Sequence, residues 1–176
     1  MKNLIFILCL LATDFVGFSQ QKTEKQYRIR PSEVPAAARK LMDEHFGSNS
    51  IKWYREEDEG DISIEAKTSR KGKQFSLDFN REGEIRDVEI LSSISALPFA
   101  LRNKINAYLE EKFIRYKILK VQEHWNTDQA PIGQILNEDY RLKSPRAHYE
   151  VEVRGRGQKG ILLYKILFGP NGTVIK

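Results

Sequence analysis

The chain is expected to fold as an α+β protein of two similar units, each a helix followed by a four-stranded antiparallel meander. The helices are expected on one face of the sheet. Three observations predict this. The sequence repeats itself over most of its length, and each copy opens with an apolar residue and a proline ahead of an amphipathic stretch. Beyond each such stretch, apolar residues alternate with polar ones between glycine-bearing turns.

The first nineteen residues stand outside this pattern. "MKNLIFILCLLATDFVGFS" starts with Lys2, continues as a short apolar run from Leu4 to Ala12, and places Gly17 and Ser19 before a cut ahead of Gln20. That is the layout of a secretory signal peptide, too short to span a bilayer, so residues 1–19 are read as a removable export signal. Asp14, near the end of the run, leaves the exact cut open. Cys9 is the only cysteine and lies inside the run, preceded by Leu8 instead of the small residue a lipoprotein signal needs. It is lost with the signal, which excludes disulfides and thiolate metal sites from the remainder. No later segment is long and apolar enough to anchor the chain in a membrane as a helix. Residues 20–33 are read as an N-terminal linker.

The first unit spans residues 34–91. Its "VPAAARKLMDEHF" begins at Val34 and Pro35, and "LPFALRNKINAYLEEKF" of the second unit begins at Leu97 and Pro98, 63 positions later. Proline suits the first turn of a helix, where its missing N–H has no partner to lose. Met42, Phe46 and Ile51 match Leu109, Phe113 and Ile118 at a spacing of 67. The difference of four is about one helical turn, so the second helix is expected to be a turn longer with its apolar face unrotated.

Strands come next in each unit. "GDISIEAK" alternates Ile62, Ile64 and Ala66 with polar neighbours, as "AHYEVEVR" alternates Tyr149, Val151 and Val153. Phe75, Leu77, Phe79, Gly83 and Ile85 match Tyr164, Ile166, Phe168, Gly172 and Val174, all 89 apart, with "NREG" and "GPNG" as the turns. Residues 92–96 are read as a linker, and residues 97–176 as the second unit. "YKILKVQEHW" is apolar on both faces (Ile118 on one; Leu119 and Val121 on the other), which suggests a strand buried between the halves. An insertion, 126–146, has no counterpart in the first unit; Ile132, Ile135, Leu136, Tyr140 and Leu142 equip it to dock on its own domain or on a partner, disorder being the other reading.

Removing Lys2 and Asp14 with the signal leaves 157 residues, 28 basic and 23 acidic, with the net charge of +5 unchanged. The charges are interleaved and form no basic stripe with stacking aromatics, so no nucleic-acid partner is expected.

Motifs that carry chemistry mostly fall away. "VRGRGQKGILLY" places Gly155, Gly157 and Gly160 in the G-x-G-x-x-G spacing of dinucleotide-binding loops. That fingerprint needs a helix after the glycines, whereas "ILLYKILF" is β-rich, so the three glycines are read as hairpin loop residues. His45, His124 and His148 show no metal-binding spacing and are read as surface histidines; no metal and no cofactor are expected. The acidic run Glu56, Glu57, Asp58, Glu59 and Asp61 lacks calcium-loop spacing and is read as a solvated hairpin tip. Glu150 and Glu152 lie on one strand face as ordinary solvent-facing residues. No nucleophile motif is present, and no catalytic residue is assigned.

Two stretches resemble the PepSY-like domain, also described as β-lactamase-inhibitor-like. They are "VPAAARKLMDEHF…IKWYREEDEGDISIEAK", with its Lys52-Trp53 strand, and "GKQFSLDFNREGEI", Gly72 to Ile85. The resemblance covers residues 31–176 with one insertion and is closer in the first unit. It implies an exported, non-enzymatic tandem module with helices on one sheet face and the other face open. In the inhibitory relatives that open, concave face grips a partner protein.

If Ile64, Phe75, Leu77 and Phe79 face the helices, the open face displays Ser63, Glu65, Lys67, Ser76 and Asp78, then Glu150, Glu152, Arg154 and Lys165. Leu163 and Leu167 share that parity, and apolar residues there imply a cover. Tyr54, Trp125 and Tyr140 are added as candidate aromatic contacts, with core packing the competing account for Tyr54 and Trp125. The candidate partner-binding residues are therefore Tyr54, Glu65, Lys67, Asp78, Trp125, Tyr140, Glu150, Glu152, Arg154, Lys165 and Leu167.

The expected function is binding of an envelope protein or peptide, inhibition being one form, in the periplasm or outside a Gram-negative cell. The alternatives are a structural protein holding anionic glycans of the envelope and, more remotely, a hydrolase without a recognisable motif.

Overall fold

The computed structural model describes residues 25–47, 51–58, 61–126, 131–137, 147–157 and 160–175. The expected signal peptide lies outside the described residues. Eight antiparallel strands succeed one another through a single sheet in chain order. They are β1 (Lys25–Ile29), β2 (Lys52–Asp58), β3 (Asp61–Arg70), β4 (Lys73–Phe79), β5 (Ile85–Ser92), β6 (Arg115–Asn126), β7 (His148–Gly157) and β8 (Gly160–Phe168). Helix α1 (Ala36–Phe46) joins β1 to β2, α2 (Phe99–Lys112) joins β5 to β6, and α3 (Ile132–Asn137) lies between β6 and β7. The predicted α+β class holds.

Period-two alternation sets the register. Ala66, Leu77, Val88 and Trp125 form one buried row across β3 to β6, and Val121, Val151 and Ile166 form another across β6 to β8. A slip of one residue in any strand would turn its apolar set to water, which pins the pairing. These rows meet the helices in two clusters. Ala38 and Met42 of α1 pack on Trp53, Phe75, Leu77 and Phe79; Leu101, Ile105 and Leu109 of α2 pack on Val151, Val153, Ile166 and Phe168.

Pro35 and Pro98 each occupy the position just before the first helical residue, with the same backbone angles (φ −52°, ψ 140°). Neither proline loses a hydrogen bond there, and their carbonyls accept from Arg39 and Arg102 to start the helices. Helix α2 has 14 residues against 11 in α1, close to the extra turn expected. The turn glycines Gly83 (φ 86°) and Gly172 (φ 81°) lie against α1 and α2; an added Cβ would come within 2.8 Å of Pro35 and 2.9 Å of Lys104.

Several boundaries differ from expectation. Residues 25–29, expected within a linker, form the edge strand β1 on β2, because Gln26, Tyr27 and Arg28 find ladder partners in Tyr54–Glu56. Residues 92–96 are the last residue of β5 and a 3-10 turn, Ile94–Ala96. Only three strands come after α2; in place of a fourth, Val174 makes an isolated bridge to Phe168 among the described residues. The acidic run belongs largely to β2, where Glu56, Glu57 and Asp58 pair with Ser63, Ile62 and Asp61. Strand β6 does lie between the halves, but Leu119 sits at a bulge and is 45% exposed, so the strand is not buried on both faces.

The insertion docks on its own chain. Ile135 and Leu136 of α3 are fully buried in the cluster under α1, although the sequence places them in the second unit. Arg70 at the end of β3 holds this arrangement: its guanidinium donates to the carbonyls of His45 and Leu136 and stacks over the Phe46 ring at 4.9 Å. Both carbonyls lie in the last turn of a helix, where a cation is favoured.

The glycine-rich stretch is a hairpin of β7 and β8 closed by the pair Gly157↔Gly160, with no helix behind it. Gly155 is not a loop residue. It lies buried in β7, and a Cβ there would sit 2.5 Å from the Phe113 ring, which itself packs on Tyr164 at 4.8 Å. Gly155→Ala is therefore expected to cost about 1–3 kcal/mol of unfolding free energy by overpacking. In urea melts the loss should shrink when Phe113→Leu is added, as a double-mutant cycle will measure.

Candidate functional site

The side chains opposite the two cores make the open face. Cross-strand register aligns them in rows: Arg28, Tyr54, Glu65, Asp78, Asp87 and Asn126 in one, and Lys67, Ser76, Glu89, His124 and His148 in the next. Gln122, Glu150 and Leu167 align beyond these, and Lys120, Glu152 and Lys165 further still. The rows enclose a groove of about 410 Å³ lined by Gln26, Glu56, Glu65, Lys67, Ser76, Asp78, Asp87, Glu89, Lys120, His124, Glu152, Leu163 and Lys165.

At the β1 end, Glu65 is the hub. It accepts from Gln26 at 2.5 Å, from Lys67 at 2.8 Å and from the Ser76 hydroxyl. Burial raises its pKa, and the nearby Glu56 charge adds to this against the partial relief from Lys67 and Ser76. Lys67 also lies over the Tyr54 ring at 4.9 Å. Next to Glu65, Asp78 has its pKa pushed up to about 6 by burial, with the charges of Glu56 and Asp87 adding to the effect. One of its oxygens, Oδ1, is buried and accepts no hydrogen bond.

At the join of β5 and β6, His124 stands between two carboxylates, 3.3 Å from Asp87 through Nε2 and 3.7 Å from Glu89 through Nδ1. The second contact is an ion pair longer than a hydrogen bond. Burial disfavours the imidazolium, yet Asp87 and Glu89 outweigh it and hold His124 at about 10. Burial likewise opposes ionisation of Glu89, but His124, Lys165 and Lys120 hold it down at about 2, and Gln122 donates to it at 2.6 Å. His148, across the ladder from His124, is lowered by burial and by the charge of His124.

Beyond the groove the open face changes sign. Arg115, Lys117, Arg154 and Arg156 project from β6 and β7, all exposed, beside Ile161 (66% exposed) and Leu163 (47%) on β8.

The structure brings Glu65, Lys67, Asp78, Glu150, Glu152, Arg154, Lys165 and Leu167 onto this one face, as their parity predicted, and places Tyr54 there too, across from Glu65 and outside the core. Trp125 is a correction: it points to the opposite face, is 2% exposed, and belongs to the core beneath α1 and α3, so it is no surface anchor. Tyr140 lies outside the described residues. His124 is also a correction, since it is an ion-paired groove residue and not a surface histidine. Sequence reasoning missed Gln26, Asp87, Glu89, Lys120, Gln122 and His124. The signal for Asp87 and Glu89 was available in "IRDVEILS", where they alternate with the buried Val88 and Ile90. Among the described residues no group of three or more His, Cys, Asp or Glu side chains is arranged to hold a metal ion. No helix among them is long and apolar enough to cross a membrane.

No protein-family model matches the chain, and no curated protein matches it. Solved structures do. A DUF2874 family protein from Bacteroides ovatus superimposes with a TM-score of 0.53 at 15% identity, covering 81% of this chain and 85% of that one. A candidate periplasmic protein from Bacteroides eggerthii gives 0.54 at 14%, covering 81% and 86%. A BLIP-like protein from Bacteroides fragilis gives 0.51 at 16%, covering 81% and 84%. At these identities the likeness is one of fold. The chain has a BLIP-like fold.

The groove's charges make stability depend on pH in opposite directions. Asp78 holds its proton more tightly in the fold (about 6) than at its ordinary 3.8. Its ionisation therefore costs stability that is absent at low pH and grows as pH rises through 6. Asp78→Asn should raise stability at pH 8 by on the order of 1–2 kcal/mol and change it little at pH 3.5, read by thermal melts. The raised pKa of His124 contributes stability that is full below 6.5 and lost as pH rises through 10. The lowered pKa of Glu89 contributes stability that is full above 4.5 and lost as pH falls through 2. His124→Gln should thus cost on the order of 2 kcal/mol at pH 5–6 and much less at pH 10.5.

Proposed function

We propose that the chain is an exported, non-enzymatic binding module that recognises a protein or peptide through the open sheet face, inhibition of an envelope enzyme being one form this takes. The observation that carries the reading is the open face itself. A groove of about 410 Å³ lined by paired charges runs into a rim where Ile161 and Leu163 are exposed. Apolar side chains beside oriented charges are what a protein interface requires: burial supplies affinity and the charges supply specificity. The BLIP-like fold of the Bacteroides fragilis protein and the periplasmic name of the Bacteroides eggerthii protein support it, as does the apolar start "LIFILCLLA", read as an export signal.

The two halves are proposed to descend from one duplicated PepSY-like unit. Pro35 and Pro98 share backbone angles, Gly83 and Gly172 rest on their respective helices, and the pairs Phe79↔Ile85 and Phe168↔Val174 correspond.

A second reading, binding of anionic envelope glycans, draws on the cluster of Arg115, Lys117, Arg154 and Arg156. Salt separates the two. The purified protein, immobilised at about 0.15 M salt, is expected to retain a saturable protein from an extract of its own cell envelope, with retention surviving at about 0.5 M. Leu163→Glu, at an exposed position, should leave the melting temperature unchanged and weaken retention at least about tenfold. Loss of all binding at high salt with competition by an anionic polysaccharide would favour the glycan. Retention insensitive to Leu163→Glu would overturn the open-face reading.

A further inference from the structure

We infer that the groove receives a cationic side chain, Lys or Arg, from the bound protein segment, lodged against Asp78 between Glu65 and Asp87; the inference rests on the open face being the binding surface. The register sets these three carboxylates directly opposite one another on β3, β4 and β5. Like charges so placed repel and lower stability. The two outer carboxylates are compensated: Glu65 by Gln26, Lys67 and Ser76, and Asp87 by His124. The middle one is only partly compensated, by a hydrogen bond from the Ser63 side chain and by the charge of Arg86. Asp78 Oδ1 is buried without a hydrogen bond, and Asp78 lines the cavity. A buried acceptor without a donor costs more than a satisfied one gains, so this carboxylate carries a deficit that a cation set against it from the groove offsets.

The donor the groove calls for is positive. Its lining holds six carboxylates (Glu56, Glu65, Asp78, Asp87, Glu89 and Glu152) against four basic groups, of which Lys67 is engaged with Glu65, His124 with Asp87 and Glu89, and Lys165 with Glu150 outside the lining. An ammonium or guanidinium entering beside Asp78 gains a charge-assisted hydrogen bond and relieves the repulsion along the row. A carboxylate or an apolar side chain would gain neither. The rest of the segment then lies toward Leu163 and Lys165, where the groove turns apolar and basic, so the segment predicted is one with Lys or Arg next to apolar or acidic residues.

Selection of a random peptide display library on the purified protein tests this. Peptides retained are expected to share a Lys or Arg whose replacement by Gln abolishes binding. They should bind Asp78→Asn at least about tenfold more weakly, the loss expected for a hydrogen bond to a charged group. The same Asp78→Asn variant should be the more thermostable protein at pH 8, so weakened binding cannot be ascribed to a damaged fold. Glu110→Gln, on the exposed side of α2, should leave binding unchanged. Peptides that depend on Leu163 but carry no essential basic residue would overturn the inference and leave the open-face reading intact. So would basic peptides that bind Asp78→Asn as tightly as the parent. Failure of any peptide to respond to Asp78→Asn, Glu65→Gln or Leu163→Glu would overturn both.

Discussion

The ladder between β5 and β6 is the interaction on which the rest of the molecule depends. Each helix covers its own apolar cluster, and a half of this size buries too little surface to be secure alone. Pairing Val88 with Trp125 and Glu89 with His124 makes the two halves one sheet. The join is fastened on both faces. On the helical side Trp125 leaves its own half to complete the core under α1; on the open side its neighbour His124 bridges Asp87 and Glu89. Adjacent residues on one strand thus secure opposite surfaces, a direct result of the period-two pleat.

The same pleat explains why the open face is charged and in part internally opposed. Among the described residues, eight strands in chain order leave one side uncovered by helices, and that side concentrates acidic residues over β2 to β5 and basic ones over β6 and β7. Where opposite signs meet, at His124 and at Lys67, the charges stabilise the fold. Where like signs meet, at Glu65, Asp78 and Asp87, they oppose it. Natural proteins commonly concede stability where a surface must serve a partner, and under the proposed function this row of buried and half-buried carboxylates is a concession of that kind.

Much of this was legible in the sequence, for one reason. Alternation and repeat spacing are local, and they assign residues such as Leu77 and Asp78 to opposite faces without knowledge of the fold. Parity alone also groups Glu65, Lys67, Glu150 and Lys165 on one surface. What was not legible depended on contacts distant in sequence. Lys25–Ile29 is too short a segment to announce a strand until its partner Trp53–Glu57 is known. Trp125 could not be told from a surface anchor, because it packs against residues of the other half. His124 carried no motif, since its two carboxylates come from a strand more than thirty positions earlier. Gly155 signalled a loop by its neighbours, yet its requirement is set by the Phe113 ring.

The docking of α3 has a consequence for how the protein can be divided. The turn at Ile94–Ala96 separates two repeating patterns and invites a cut into modules. A cut there would strip the first half of Trp125, Ile135, Leu136 and Ala147, all supplied from the far side of the turn, and leave Arg70 without one of its two carbonyl acceptors. Repetition yields pieces that can in principle travel apart, and the inserted helix removes that freedom by lending the second pattern's side chains to the first one's interior. The two parts share one interior and are expected to fold only together.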